Sequence, residues 1–544
     1  MTCQRQRSVA FGLLTILLAA CSGGHGASSN SGPLPPAPQG PAGAPAASSY
    51  VTIQGPVVGI TVTPDRHLNV KLANQKRVAI YTSYLPNVKV GATIEATGYY
   101  DSLGDFRAAS AKLVDPSQAA TPGVVAEATP TPVPPQVSAA GPSTLGRIGL
   151  FQIFDYNMSA AQARSAAAHD DFVWGSGIGG NGATSVSWNQ GNPRIVNARY
   201  FVQGTDAGLS RHDLGWFKTH HPSWIVYDCD ANNRPTRTVA HQPGLPDYTP
   251  LDITNPRAIA YQIHEVGTFA IAHGNNAIGA DQTLFFDYDG GQHPGWFGCG
   301  VYRNGSFVRR WGASQGGFPN YDPRWSYDTA QWVKSAKRLL ATDPTLAPHH
   351  LKLIVNHPAG NVNDPNERTL LQNVDAVLDE PGFSNYGKYA VSPASFFRTT
   401  LDYVEYAQSL GVSVLETDKF GGGNSVTKPQ LSWAIATYLL GNEGKAELSV
   451  TPGPYGSEFY YPEYGTIHSR LGKPCGRYTV AGNGVLYMRR FSGGFVVVNS
   501  GGIGTISASL AAPSLSDLVG RHVSNPLLVK PYDSYVLLSP GNGC

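Results

Sequence analysis

Short apolar runs that end in acidic or amide side chains recur along the C-terminal two thirds of this chain. They alternate with longer segments of helical character, and this alternation indicates a parallel α/β fold. Eight runs are predicted as parallel strands, at Ile148–Phe154, Asp171–Trp174, Asn197–Val202, Thr283–Asp287, Leu351–Asn356, Val374–Leu378, Val412–Glu416 and Ala446–Val450. Eight is the number of strands that a closed (β/α)8 barrel, the TIM barrel, requires.

Helices and one insertion are predicted between these strands. The helices fall at Pro256–His273, Thr329–Ala341, Pro393–Leu410 and Gln430–Leu440. The runs Trp224–Asp228 and Thr236–Val239 are predicted as an inserted hairpin around Asn232–Asn233. If this hairpin instead formed a barrel strand, the strand numbering would move by one, but the acidic strand ends would stay on the same rim of the barrel.

Residues 51–115 are predicted as a separate small β domain, because their apolar positions alternate largely with polar or small ones. Residues 21–50 before it and 116–145 after it are rich in Ser, Gly, Pro and Ala, the composition of a tether and a linker. The stretch Val90–Gly98, followed by Phe106–Ala109, resembles the small OB-like barrels of bacterial envelope proteins. No residue in this domain points to catalysis, so we expect a spacer or a weak binding module.

The first twenty residues are predicted as a signal peptide. Arg5 and Arg7 precede an apolar run that is too short to span a bilayer, and Leu18-Ala-Ala-Cys21 follows it. This pattern resembles a bacterial lipoprotein signal, which predicts that Cys21 carries a lipid anchor in the cell envelope. The alternative is an ordinary secretory signal, which would also export the protein.

Export makes disulfides possible among the remaining cysteines, which are Cys229, Cys299, Cys475 and Cys544. Three pairings are open. Proximity along the chain favours Cys229 with Cys299 and Cys475 with Cys544.

Composition narrows the class of partner. Charged residues make up 14% of the chain, against roughly 25% in a typical soluble domain, so we expect a neutral, polar surface. The formal charge is +2, and loss of Arg5 and Arg7 with the signal peptide would bring it to zero. A nucleic-acid partner, which needs a basic face, is therefore not expected.

The region from Gly146 resembles glycoside hydrolases of the TIM-barrel superfamily. The motifs that carry the resemblance are His221–Asp228, Leu251–Pro256, Leu284–Asp289, Asn373–Glu380, Leu471–Pro474 and Val485–Asn499. The resemblance implies a glycoside hydrolase barrel over residues 146–470, a C-terminal β domain over residues 471–544, and a polysaccharide as substrate. Each motif is weak by itself, and their order along the chain makes the combination specific.

Glycosidic bond cleavage needs two carboxyl groups, one that protonates the leaving oxygen and one that attacks the anomeric carbon or activates water. Asp287, at the end of the predicted fourth strand, is the candidate nucleophile or base. Glu380, after the sixth strand, is the candidate acid. The chain departs from the usual pattern by offering Asp281 and Asp289 near the fourth strand, and Asp379 beside Glu380. The plainer alternative is that each acid caps the helix that follows its strand.

Sugar recognition needs aromatic rings and polar side chains at the same rim. Candidates for substrate binding are Asp155, Tyr156, Trp174, Arg199, Tyr200, Asp228, Tyr288, Asp289, Asn356, Glu416 and Asp418. No cofactor and no metal are expected, because the adjacent histidines lack metal-site spacing and the glycines of Gly175–Gly180 do not lead into a helix. The competing function is a barrel that binds a glycan at the envelope without cleaving it.

Overall fold

The structure is a computed structural model that divides into two compact units, Met1–Gln136 and Val137–Cys544. It describes residues 51–62, 67–72, 77–81, 90–100, 106–114, 143–178, 182–206, 212–229, 235–239, 249–285, 298–311, 323–421, 425–453, 455–502, 504–539 and 543–544. The predicted signal peptide, Cys21, the tether and residues 116–142 of the linker lie outside this part of the chain. No helix among the described residues has the length and apolar character needed to cross a bilayer.

The first unit contains five strands that close into a small barrel in the order β1-β2-β3-β5-β4. The strands are β1 Val51–Val62, β2 His67–Leu72, β3 Arg77–Tyr81, β4 Thr93–Tyr100 and β5 Phe106–Leu113. Along β1, Ile53 and Val57 are buried while Gln54 and Val58 are exposed, as expected for a strand with one face on a core. Five strands fit the OB-like interpretation, and a binding role for this unit stays a prediction.

The second unit contains eight parallel strands that close into a barrel, as the sequence predicted. They are β6 Leu150–Ile153, β7 Asp170–Trp174, β8 Val196–Val202, β13 Ala277–Asp281, β16 Lys352–Asn356, β17 Ala376–Asp379, β18 Ser413–Lys419 and β19 Ala446–Thr451. Seven of the eight lie where they were predicted, within a few residues at each end. The fold is a (β/α)8 barrel.

The fourth barrel strand is the exception. It was predicted at Thr283–Asp287, and this is wrong, because the strand is Ala277–Asp281. The preceding helix ends at Ala272, so only four residues separate it from the strand, a normal length for such a loop. The fourth strand therefore ends at Asp281.

Nine helices are described in the second unit, and eight of them follow the barrel strands. They are α1 Ala160–Ala166, α2 Ser185–Gly191, α3 Leu214–His220, α4 Pro256–Ala272, α5 Pro323–Thr342, α6 Pro365–Leu371, α7 Ala394–Ser409, α8 Lys428–Gly441 and α9 Pro462–Arg470. Helix α3 belongs to the insertion between β8 and α4. Helix α4 begins at the predicted Pro256, and the side chain of Asn255 caps it by accepting from the N–H of Arg257.

The insertions form small antiparallel sheets. The predicted hairpin is confirmed as β10 Val226–Cys229 paired with β11 Pro235–Val239, and it extends through β14 Gly300–Arg303 and β15 Ser306–Arg309 into one four-stranded sheet. A shorter pair joins β9 Thr205–Asp206 to β12 Thr249–Pro250.

A C-terminal sheet packs against helix α8. Its six strands are β20 Thr479–Ala481, β21 Leu486–Phe491, β22 Gly494–Asn499, β24 Leu515–Ser516, β25 His522–Val523 and β27 Ser534–Leu538. The strands β23 Ile506–Ala508 and β26 Leu527–Val529 form a separate two-stranded sheet. Val496 and Val498 share a core with α8, whereas Phe495 and Val497 face a second core on the other side of the sheet. Helix α8 contacts the barrel strand β19 as well as the sheet strands β22 and β27, and this burial on two sides explains why it is apolar around most of its circumference.

A disulfide joins Cys475 to Cys544, which confirms that predicted pairing. Cys299 is also disulfide-bonded. The side chain of Cys229 lies outside the described part of the chain, so its pairing with Cys299 stays a prediction.

The barrel strands separate their side chains onto two faces, because successive residues of a strand point in opposite directions. The inner core includes Ile153, Trp174, Ala198, Ala277, Ile354, Leu378 and Leu415. The core between strands and helices, called here the wall, includes Phe201, Ile278, Val355, Val377 and Val414. A polar residue that lies an even number of positions from an inner-core residue of its strand also points into the barrel. One that lies an odd number of positions away points into the wall.

Candidate active site at the barrel mouth

Three polar side chains lie on the inner face at the ends of adjacent strands. Asp281 ends β13, Asn356 ends β16 and Glu380 directly follows β17. Each lies two positions beyond a residue that faces the barrel interior, namely Gly279, Ile354 and Leu378. The barrel therefore brings two carboxyl groups and one amide together from three neighbouring strands.

Asn356 connects the two carboxyl groups. Its Nδ2 donates to Asp281 Oδ1 at 2.8 Å and to Glu380 Oε2 at 3.0 Å. These two oxygens can thus be no farther apart than the two hydrogen-bond lengths combined. An amide nitrogen carries two hydrogens, so it can serve both carboxyl groups at once.

Further donors orient each carboxyl group. The hydroxyl of Tyr200 donates to Asp281 Oδ2 at 2.9 Å, and the N–H of Gln282 donates to Oδ1 at 2.8 Å. The hydroxyl of Tyr455, from the loop after β19, donates to Glu380 Oε1 at 2.8 Å. Both carboxyl groups are therefore held from two sides.

Burial and the nearby Glu380 raise the pKa of Asp281 to about 6, while the donors Tyr200, Gln282 and Asn356 act in the opposite direction. Burial, then the charge of Glu380, also raises the pKa of Tyr455 well above its usual range, so this hydroxyl keeps its proton and remains a donor. Asp281 consequently changes its charge close to neutral pH, the range in which an acid or base is most effective.

Aromatic rings line the other side of the mouth. The ring of Phe154 lies 5.9 Å from Tyr156, 5.5 Å from Tyr200 and 6.2 Å from Tyr455, centre to centre. Phe154 has a φ of 54°, and its ring packs so closely on Gly175 that a Cβ there would lie 2.3 Å from it. A strained residue held by such packing is typical of functional sites, and aromatic faces suit the C–H surfaces of sugar rings.

Of the residues predicted to bind substrate, Tyr156, Tyr200 and Asn356 lie at this mouth, and Trp174 fills the barrel interior beneath it. Asp287, Tyr288 and Asp289 lie outside the described residues.

Other predicted residues lie away from the carboxyl pair. Arg199 points outward and its guanidinium lies 4.5 Å from the ring of Phe269 on α4. Asp155 is buried and accepts from the indole N–H of Trp188 and the N–H of Gly177. Asp228 belongs to the inserted sheet, where burial raises its pKa to about 7. None of the three lines the mouth beside Asp281.

Glu416 and Asp418 alternate with the inward-facing Leu415 on β18, and they therefore lie in the wall. Glu416 and Asp418 were predicted to bind the substrate at the rim, and this placement is wrong, because their side chains point away from the barrel interior. Asp379, next to Glu380, lies in the wall as well. Burial raises the pKa of Asp379 and of Asp418 to about 7, and that of Glu416 well above its usual range.

Sequence reasoning gave no role to Tyr455, Phe154 or Lys419, and it placed Asp281 second to Asp287. Asp281 had a usable signal, because the run Ala277–Ala280 lies at normal loop distance from the end of α4. Tyr455 had none, since a tyrosine in a loop reveals its contact only when the loop is placed. Within the described part of the chain, no group of three or more His, Cys, Asp or Glu residues could hold a metal ion.

No protein-family model and no curated protein sequence matches this chain. Several solved structures are similar to this chain in their chain course. A noncanonic maltogenic α-amylase from Thermotoga neapolitana is 11% identical with a TM-score of 0.38, and the alignment covers 72% of this chain and 98% of that one. A β-L-arabinopyranosidase from Geobacillus stearothermophilus is 9% identical with a TM-score of 0.43, over 73% and 98%. An α-amylase from Malbranchea cinnamomea is 10% identical with a TM-score of 0.39, also over 73% and 98%. At such low sequence identities, the substrates of these enzymes say nothing about the substrate of this chain. Its site is therefore interpreted from its own geometry.

Proposed function

We propose that the protein is a glycoside hydrolase that cleaves a polysaccharide or oligosaccharide with retention of anomeric configuration. Asp281 is the nucleophile and Glu380 the acid and base. One observation carries the proposal: a single amide nitrogen, Asn356 Nδ2, bonds to a carboxyl oxygen of each. Asp281 takes the role that the sequence suggested for Asp287, because the fourth strand ends at Asp281.

The reaction has two displacements. In the first, a carboxylate oxygen of Asp281 bonds to the anomeric carbon, the bond from that carbon to the leaving oxygen breaks, and Glu380 gives its proton to the leaving oxygen. In the second, Glu380 takes a proton from water, whose oxygen displaces Asp281 from the anomeric carbon. The sugar is released with its original configuration, and both carboxyl groups return to their starting state.

The spacing supports retention. Retaining enzymes hold their carboxyl groups about 5–5.5 Å apart, whereas inverting enzymes need roughly 6.5–9.5 Å to admit a water molecule. A shared hydrogen-bond donor brings the nearest oxygens of Asp281 and Glu380 closer than the inverting range. Asn356 also fixes this spacing, because it is bonded to both.

The test is hydrolysis of a panel of polysaccharides, followed by proton NMR of the first product of any that is cleaved. The expected result is cleavage with the anomer of the substrate retained. Cleavage with inversion would contradict the two-step assignment. Binding without cleavage of any glycan in the panel would favour the alternative of a non-catalytic binding protein.

We also propose that the protein is exported and anchored by a lipid on Cys21. Two features of the sequence support this proposal: the arginines before the apolar run and the four-residue motif that ends at Cys21. Replacement of Cys21 by Ser is expected to move the protein from the membrane fraction to the soluble fraction. Retention of the variant in the membrane fraction would contradict the lipid anchor.

A further inference from the structure

Lys419 is a half-buried cation on the same inner face as the carboxyl pair. It ends β18 and lies four positions beyond Leu415, which belongs to the inner core. Its Nζ lies 4.4 Å from the centre of the Tyr455 ring, and Tyr455 is the residue that donates to Glu380. Attraction between a cation and an aromatic face holds the ammonium group at the mouth.

Lys419 carries a positive charge on the inner face of the barrel. It forms no ion pair with any of the described residues, and the two acids of the inner face have other partners. The acids nearest along its own strand, Glu416 and Asp418, do not balance it either: Glu416 points into the wall, and Asp418 there accepts from the N–H of Ser384. A positioned lysine with no counter-charge among the described residues is available to a ligand.

Aromatic side chains surround the same place. Tyr455 lies beneath the ammonium group and in contact with Phe154. Tyr386, on the loop after β17, interacts electrostatically with Tyr455 and has an exposed ring. Sugar faces pack on such rings, while a charged substituent on the sugar needs a counter-charge. The need is greater here, because an anionic sugar approaching the site is repelled by the carboxylate of Asp281.

We infer that the substrate is an anionic glycan, and that Lys419 binds the acidic group of a sugar unit at the cleavage site. This inference rests on the proposed glycosidase function and names its substrate class. The shared chemistry is a sugar-borne anion, which is a uronic acid carboxylate or a sulfate ester. Lys419 acts in specificity, since it would lower KM for acidic sugars and has no part in bond breaking.

The experiment compares glycans with a common backbone in three forms: uronic acid, the same polymer with its carboxyl groups reduced to hydroxymethyl, and a sulfated form. Wild-type protein is expected to cleave an acidic form with a higher kcat/KM than the reduced form, and the preferred acidic form identifies the anion. Lys419→Met is expected to raise KM for that form about ten- to a hundredfold, with little change in kcat and little change on the neutral polymer. Lys419→Arg should restore most of the affinity.

The matched control is Lys388→Met, an exposed lysine on the loop after β17, which should leave all values unchanged. A preference for the neutral polymer, or equal losses on neutral and acidic forms in Lys419→Met, would overturn the inference and leave the glycosidase function intact. A fall in kcat alone would also overturn it, because it would show that Lys419 acts through Tyr455 and Glu380. Absence of cleavage of every form would instead count against the glycosidase proposal.

Discussion

Two sets of carboxyl groups lie at the strand ends of this barrel, on opposite faces. Asp281 and Glu380 face the mouth, where tyrosines and an asparagine donate to them. Asp379 and Asp418 face the wall, where each accepts a backbone N–H, from Ala359 and Ser384, and has one oxygen without a hydrogen-bond partner among the described residues. Asp379 and Glu380 are neighbours in sequence.

An acid at a strand end therefore lies at the mouth only when its position along the strand places it on the inner face. Asp281 of the inner set and Asp379 of the wall set both have a raised pKa, since burial favours the neutral acid in either place. Asp281 combines that shift with a place on the inner face, where Asn356 bonds to it and to a second carboxyl group, Glu380. A shifted pKa thus identifies a buried acid, and its face of the strand decides whether a substrate can reach it.

The largest expected effect is on catalysis. Asp281→Asn and Glu380→Gln should each lower kcat/KM on the cleaved glycan by more than about a hundredfold, because each removes a group that bonds to or protonates the substrate in the proposed mechanism. Both changes preserve shape, so the circular dichroism spectrum and the melting temperature should stay close to wild type.

Asp379→Asn is the matched control, because it makes the same chemical change on the opposite face of the same strand end. It should keep activity within a fewfold of wild type. Loss of activity in Asp379→Asn with full activity in Glu380→Gln would reverse the assignment of the two faces.

The next effect concerns stability and belongs to the wall. The pKa of Asp379 is about 7 in the folded chain, and that of an unfolded aspartate is near 4, so between these values the folded chain binds the proton more tightly. The wild-type chain therefore loses stability as the pH rises through this window. Asp379→Asn removes the titrating group and should melt several degrees higher, relative to wild type, at about pH 8 than at about pH 5. An equal difference at both pH values would show that Asp379 is ionised throughout.

The smallest effect concerns the pH profile. Asp281 must be ionised to attack, so kcat/KM should rise as the pH increases through about 6. Tyr200→Phe removes a donor that lowers this pKa, and the rising limb should move to higher pH by about one unit or less. Movement to lower pH would show that the hydroxyl of Tyr200 does not stabilise the ionised Asp281.

The sequence was sufficient for the barrel, because strands buried on both faces are apolar runs and the helices between them begin at clear signals such as Asn255-Pro256. It was insufficient for the fourth strand. Two apolar runs, Ala277–Ala280 and Thr283–Phe286, are each followed by an aspartate, and the local pattern does not distinguish them. The length of the loop after helix α4 does, because it is of normal length only for the first run.

The site was predictable only in part. Asn356 ends its strand and Glu380 directly follows its strand, so the pattern of the sequence was enough to predict that both lie at the end of the barrel where the structure has them. Glu416 and Asp418 also occupy a strand end, but a run that is buried on both faces has no polar alternation, so its sequence does not say which residues point inward. Tyr455 and Lys419 meet only after β18 and the loop after β19 are folded.

The central claim is that Asp281 forms the bond to the anomeric carbon, and trapping that bond tests it most directly. A slow substrate analogue of the cleaved sugar, with fluorine at its second carbon and a good leaving group, should stop the reaction at the covalent stage. Peptide mass spectrometry should then find the sugar on Asp281, and Asp281→Asn should take up no label. A label on Asp287 or Asp289, with Asp281 unmodified, would contradict the account.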